Sequence, residues 1–126
     1  MEHRIIARRR AEREQLIQLA ADYVRHLSTK LPVLAAYVAG SAARGDFNVW
    51  SDVDVVIVAE GLPERIPDRM ALLASGAPPR VQPVGFTPRE FEAAHEKGNP
   101  LVVEALSLGI ALFGPRREGE TETRTS

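Results

Sequence analysis

Apolar residues recur along this chain in two rhythms, one helical and one extended. Over the first 30 residues Leu16, Leu19, Ala20, Tyr23 and Leu27 return at three- and four-residue spacing, which draws one apolar stripe on a helix. Pro32 closes that segment, and Leu34 to Gly40 follows as an uncharged run that suits a buried strand. Asp52 to Val58, DVDVVIV, is the densest β-branched run in the chain; it predicts a second strand, closed by Gly61. Pro63 and Pro67 lead into a short helix around Asp68 to Ser75, and Ala77-Pro78-Pro79 is a loop. Val81 to Phe86 predicts a third strand, in which Pro83 has no N–H to donate and so requires a free or bulged side.

Two further helices carry their own boundary signals. Thr87-Pro88-Arg89-Glu90 has the form of a capping box with proline at the first helical position, and Gly98 stops that helix. Asn99–Pro100 opens the next, Gly109 ends it, and Ile110 to Phe113 is a candidate edge strand. The segment 115–126 carries no apolar run and is expected to be disordered. The pattern predicts an α/β (α+β) fold over residues 1–114: one mixed sheet of three or four strands flanked by helices, with no repeat and no internal linker.

Composition narrows the chemistry. The 126 residues have room for one domain and one core. With no cysteine there is no disulfide, no thiolate metal site and no cysteine nucleophile. No stretch approaches the roughly 20 apolar residues that span a bilayer. The start, MEHRIIARRR, stays charged and lacks a signal-peptide apolar region, so a cytoplasmic location is expected. A net charge of −1 gives no whole-molecule footprint for nucleic acid. Arg4, Arg8, Arg9, Arg10 and Arg13 crowd the first helix, but Glu2, Glu12 and Glu14 interrupt them, which reads as a solvated face.

Three features converge between residues 40 and 54. Gly40–Ser41 stands where a strand ends and a turn begins; glycine allows close backbone approach, and the serine hydroxyl with free N–H groups can face an anion. Asp52 and Asp54 are two residues apart on a strand, so both carboxylates point to one face. Two hard oxygen ligands on a rigid edge suit Mg2+ (or Mn2+), which takes a carboxylate or two together with substrate phosphates. Ten residues separate Ser41 from Asp52, enough for the chain to turn and return beside the first strand.

The stretch GSAARGDFNVWSDVDVVIV resembles the signature of the minimal nucleotidyltransferases of the DNA polymerase β superfamily, written GS, ten residues, then DxD. PVGFTPREFE and GNPLVVEALSLGIALFG resemble that family's closing strand and helices, so the likeness covers most of residues 34 to 114. It implies a polymerase β-like fold in which Gly40 and Ser41 hold the triphosphate of ATP or another NTP. Asp52 and Asp54 would bind the metal and be catalytic, and Arg44 would touch phosphate as a bidentate donor. It also implies transfer of an NMP to a hydroxyl. Small members of the family act as antitoxins beside a helical HEPN-type protein, which makes such a protein the expected partner and acceptor; a homo-oligomer is the other expected assembly.

One position departs from the pattern. Active members offer a third carboxylate on the third strand, where this chain has Gln82. A neutral amide there supports an alternative, a catalytically impaired nucleotide-binding module that neutralises a partner by contact. Other tempting residues are discounted. Arg44-Gly45-Asp46 matches an adhesion tripeptide by chance, and His3, His26 and His95 share no metal-site spacing. Phe47 and Trp50 are assigned to packing.

Overall fold

In the computed structural model, the described residues are 2–39 and 52–113. Among them the elements run α1 (Glu2–Leu27), β1 (Val33–Ala39), β2 (Val53–Ala59), α2 (Ile66–Ala74), β3 (Val81–Phe86), α3 (Pro88–Glu96), α4 (Pro100–Ser107) and β4 (Ile110–Phe113). The strands form one mixed sheet in the order β3-β2-β1-β4. Strand β1 is antiparallel to both β2 and β4, whereas β2 and β3 are parallel and joined through α2. This is the expected α/β architecture, with the fourth strand present. No described helix is long and apolar enough to cross a membrane. The segment expected to be disordered, 115–126, lies outside the described residues.

Period-2 alternation sorts the strand residues between two covered faces. Val53, Val55, Ile57 and Ala59 of β2 join Leu16, Ala20, Tyr23, Val24 and Leu27 of α1 and Leu73 of α2 in the larger core. On the other face Val56 and Ala39 pack with Ala105 of α4, while Tyr37, Phe86, Phe91 and Leu101 surround them. A strand covered on both sides has no need of a polar alternation, which is why β2 reads as an almost unbroken apolar run.

Leu19 is a correction to the predicted stripe: it is 45% exposed, and Val24, which the stripe omitted, is buried. At about 100° per residue Leu19 sits roughly 80° round from the centre of the Leu16–Leu27 line, off the sheet side. The buried line of α1 is taken up by one face of the sheet and α4 by the other. Exposed apolar residues do remain on α2 and at the end of α4, at Ile66, Met70, Val103 and Leu108.

The helix boundaries follow the local chemistry. Thr87 accepts from the Glu90 backbone N–H, and the Glu90 carboxylate accepts from the Thr87 N–H, so the capping box is complete. Asn99 caps α4 by accepting from the N–H groups of Leu101 and Val102 at 2.9 and 3.2 Å. A third contact ties α1 to α2: the Tyr23 hydroxyl donates to the Leu73 carbonyl at 2.5 Å. That carbonyl lies in the last turn of α2, where helical acceptors go unpaired. Burial raises the Tyr23 phenol to about 12, so it is a donor at all ordinary pH. Replacing Tyr23 by Phe strands the Leu73 carbonyl. Urea unfolding should show Tyr23→Phe less stable by about 1–2 kcal/mol with an unchanged m-value.

Candidate metal and nucleotide site

The site forms where β1 ends and β2 begins. Ala39, the last residue of β1, pairs with Asp54, so the chain enters Gly40 directly opposite the acidic head of β2. On the other flank Asp54 pairs with Gln82 of β3. Strands in register lie about 4.8 Å apart, which brings Ala39, Asp54 and Gln82 into one row across three strands. Asp54 and Val56 share a face by alternation, the face covered by α3 and α4, and Asp52 continues that parity just before the strand begins. Asp52 is exposed and Asp54 half-buried.

Gln82, expected from the resemblance to stand in place of a third carboxylate, is level with Asp54 in the register. Its side-chain amide donates to Asp52 Oδ2 at 2.7 Å. Only the nitrogen end of an amide can face a carboxylate in this way. Next to it Arg80 holds a left-handed backbone at φ 74°, and its carbonyl accepts from the Val53 N–H at 2.7 Å. This locks the start of β3 against the start of β2 and fixes the row. Gly40, Ser41 and Arg44 lie outside the described residues, as do Phe47 and Trp50.

The donor set suits one hard divalent cation. Asp52 and Asp54 offer carboxylate oxygens from alternate positions of a rigid strand, and Mg2+ takes one or two protein carboxylates when phosphates complete its shell. Among the described residues no three His, Cys, Asp or Glu side chains cluster for a metal, because the third place in the row is Gln82. The adjoining concavity is a separate feature. A cavity of about 410 Å³ opens beside the outer edge of β3, between α2 and α3, lined by Ile66, Met70, Leu73, Val84 and Phe86.

A nucleotidyltransferase domain model matches residues 20–111, which takes in β1, β2 and β3 and the start of β4. The chain belongs to the nucleotidyltransferase domain family. A solved structure of a Sulfolobus solfataricus protein described as a nucleotidyltransferase is similar at a TM-score of 0.60 and 22% identity. The match covers 80% of this chain and 82% of that one and shows a shared fold. A toxin–antitoxin structure with AMP-PNP is similar at a TM-score of 0.49 and 17% identity, over 76% of this chain and 74% of that one. No curated protein sequence matches at a significant level.

One charged pair in this nucleotidyltransferase domain was not legible beforehand. Arg69 of α2 is 5% exposed and reaches round the free edge of β3. It donates to the Pro63 carbonyl at 2.9 Å and to the Gly85 carbonyl at 3.3 Å. It also grips both oxygens of Glu90 on α3, at 2.7 and 3.3 Å. Glu90 was readable as a cap; its second partner, 21 residues away, left no local signal. The β3 edge is thereby closed: Gly85 has its carbonyl occupied, and Pro83, facing outward with no N–H, offers no donor. A Cβ on Gly85 would stand 2.7 Å from Leu73 Cδ1 and 3.2 Å from Leu62 Cδ1, so glycine also lets α2 lie close against the strand.

Hydrogen bonding from the Arg69 guanidinium, then from the Thr87 backbone N–H, holds the Glu90 carboxyl below its ordinary value of 4.5. A carboxyl that ionises more easily when folded adds stability above its unfolded pKa, and this contribution is lost as pH falls through the lower folded value. Glu90→Gln should therefore be less stable than the unaltered protein at pH 7. In thermal melts the gap should narrow steadily below pH 4, where Glu90 itself becomes neutral.

Proposed function

We propose that this chain is a Mg2+-dependent nucleotidyltransferase domain, with Mn2+ as a substitute, that uses ATP or another NTP and passes the NMP to a hydroxyl on a helical, HEPN-type protein partner as an antitoxin. The observation that carries this reading is the row Ala39–Asp54–Gln82, with Asp52 at its open end. It sets two same-face carboxylates against the strand end that leads into Gly40–Ser41. In the family motif, Gly40, Ser41 and Arg44 are the triphosphate contacts, and Asp52 and Asp54 hold the cation. Asp52 and Asp54 would hold the divalent cation, which would supply charge neutralisation at the phosphates.

In the reaction the acceptor oxygen forms a bond to the α-phosphorus, the bond to the bridging oxygen breaks, and pyrophosphate leaves. The acceptor's proton must go to a base within hydrogen-bond reach. Gln82 stands at the place where the family's third carboxylate would take it, and an amide cannot. Two aspartates are then left to hold the cation, and among the described residues β3 offers no carboxylate level with them for the proton. Slow turnover follows from this arrangement. The partner is supported by apolar side chains that the fold leaves uncovered, Ile66 at 54% and Met70 at 63% exposed on α2, with Val103 and Leu108 of α4.

The second reading, a nucleotide-binding module that neutralises its partner by contact, is favoured by the same amide. Two measurements separate them from each other and from no activity at all. Calorimetric titration should find ATP binding only with Mg2+ or Mn2+, and Asp54→Asn should abolish it while the circular dichroism spectrum stays the same. Equal affinity with and without metal would overturn the site. Labelled-ATP transfer to the partner should be slow for the unaltered protein and at least about tenfold faster for Gln82→Glu. Robust transfer with no gain in the variant would remove Gln82 from the third position; no transfer by either protein, with binding intact, leaves the contact module.

A further inference from the structure

The contact between Gln82 and Asp52 has a role of its own beyond the loss of a base. Asp52 and Asp54 lie on one face two residues apart, close enough for like charges to repel in the absence of a cation. A carboxylate at position 82 would add a third charge directly opposite Asp54, and like charges facing each other across strands are destabilising. Gln82 brings no charge and donates to Asp52 Oδ2 at 2.7 Å. A hydrogen bond to an ionised acceptor is among the stronger kinds. It uses one oxygen of Asp52 and leaves the other for a ligand.

We propose that Gln82 is a positioning residue that holds Asp52 in place when no cation is bound, so that the acidic edge keeps its shape without metal. The proposal takes its functional meaning from the reading of Asp52 and Asp54 as metal ligands. In this role Gln82 acts through Asp52 and belongs to the outer partners that orient a ligand, whose loss weakens metal sites by about 10–100-fold. The register makes the arrangement unavoidable. Val53–Val81 and Asp54–Gln82 are paired in a ladder held by the buried Val53, Val55 and Ile57 of β2, so β3 cannot slide to offer another side chain. Glu90, the next glutamate along the chain, is occupied by Arg69 and Thr87.

The test compares the full chain with Gln82→Glu and Gln82→Met at pH 8, by thermal unfolding in chelator and in excess Mn2+, and by Mn2+ titration without nucleotide. Gln82→Glu should melt about 4 °C or more below the unaltered protein in chelator, and Mn2+ should restore most of that loss. Gln82→Met keeps the side-chain length without a donor; in chelator it should melt about 2 °C or more below the unaltered protein, and it should bind Mn2+ about tenfold more weakly. Gln82→Glu as stable as the unaltered protein in chelator, or Gln82→Met binding Mn2+ with undiminished affinity, overturns the proposal. Absence of Mn2+ binding by the unaltered protein sinks the metal reading instead, while the chelator comparison still decides whether Gln82 steadies the acidic edge.

Discussion

Strand β2 is hydrogen-bonded to a neighbour on each edge and covered by helices on each face, and every other feature of this domain takes its position from it. A strand enclosed on four sides cannot shift register: a slip of one residue would turn Val53, Val55 and Ile57 into the space held by Asp54, Val56 and Val58. Its first residues are the exception to the enclosure. Asp52 and Asp54 emerge where the ladder begins, so the same packing that buries the strand aims its acidic head at solvent. The proposed cation site is thus placed at the margin of the most rigid element, where side chains are held without being covered.

The flanks of β2 extend that rigidity in different ways. Strand β1 pairs antiparallel and ends at Ala39, opposite Asp54. Strand β3 pairs parallel, and a parallel pair needs a crossover, here α2. The crossover leaves β3 as an edge, a hazard that Arg69 removes by bonding the outward carbonyl of Gly85 and clasping Glu90 from the next helix. Burying a guanidinium is costly unless its donors are used, and here Nε and both Nη nitrogens have partners. The capping box of α3 is part of the same clasp, since the Glu90 oxygen that accepts from Thr87 also accepts from Arg69.

Most of this was legible because local and tertiary signals agree. The β-branched run of β2, the capping box at Thr87 and the Asn99–Pro100 start each appear in the structure within a residue or two of where the chain marks them. Pro83 announced an edge, and β3 is one. What escaped needed information at a distance. Leu19 fits the helical rhythm as well as Val24 does, and only the direction of the sheet separates them. Arg69 looks like any arginine on a short helix until Gly85 and Glu90 arrive beside it. Of the candidate site, the two aspartates were readable from alternation and Gln82 from the family pattern. The bond from Gln82 to Asp52 was not, because it depends on the parallel register of β2 with β3.

Among the described residues, that register also leaves no other β3 side chain to take the place of Gln82 in the proposed site. A general base must reach the acceptor hydroxyl from the row that the aspartates define, and the only β3 side chain level with Asp54 on that face is Gln82. Val81 points into the opposite core and Val84 lies further along the strand. Glu90 is drawn round the edge by Arg69, and freeing it would uncover a buried guanidinium. In the proposed site, an acidic edge with the two aspartates and the Gln82 amide is therefore a different device from one with three carboxylates. The second is strained until cations arrive and gains a base when they do. The first is settled from the start and can accept a nucleotide without depending on it for its shape, which favours a domain whose binding face must stay ordered whether or not transfer follows.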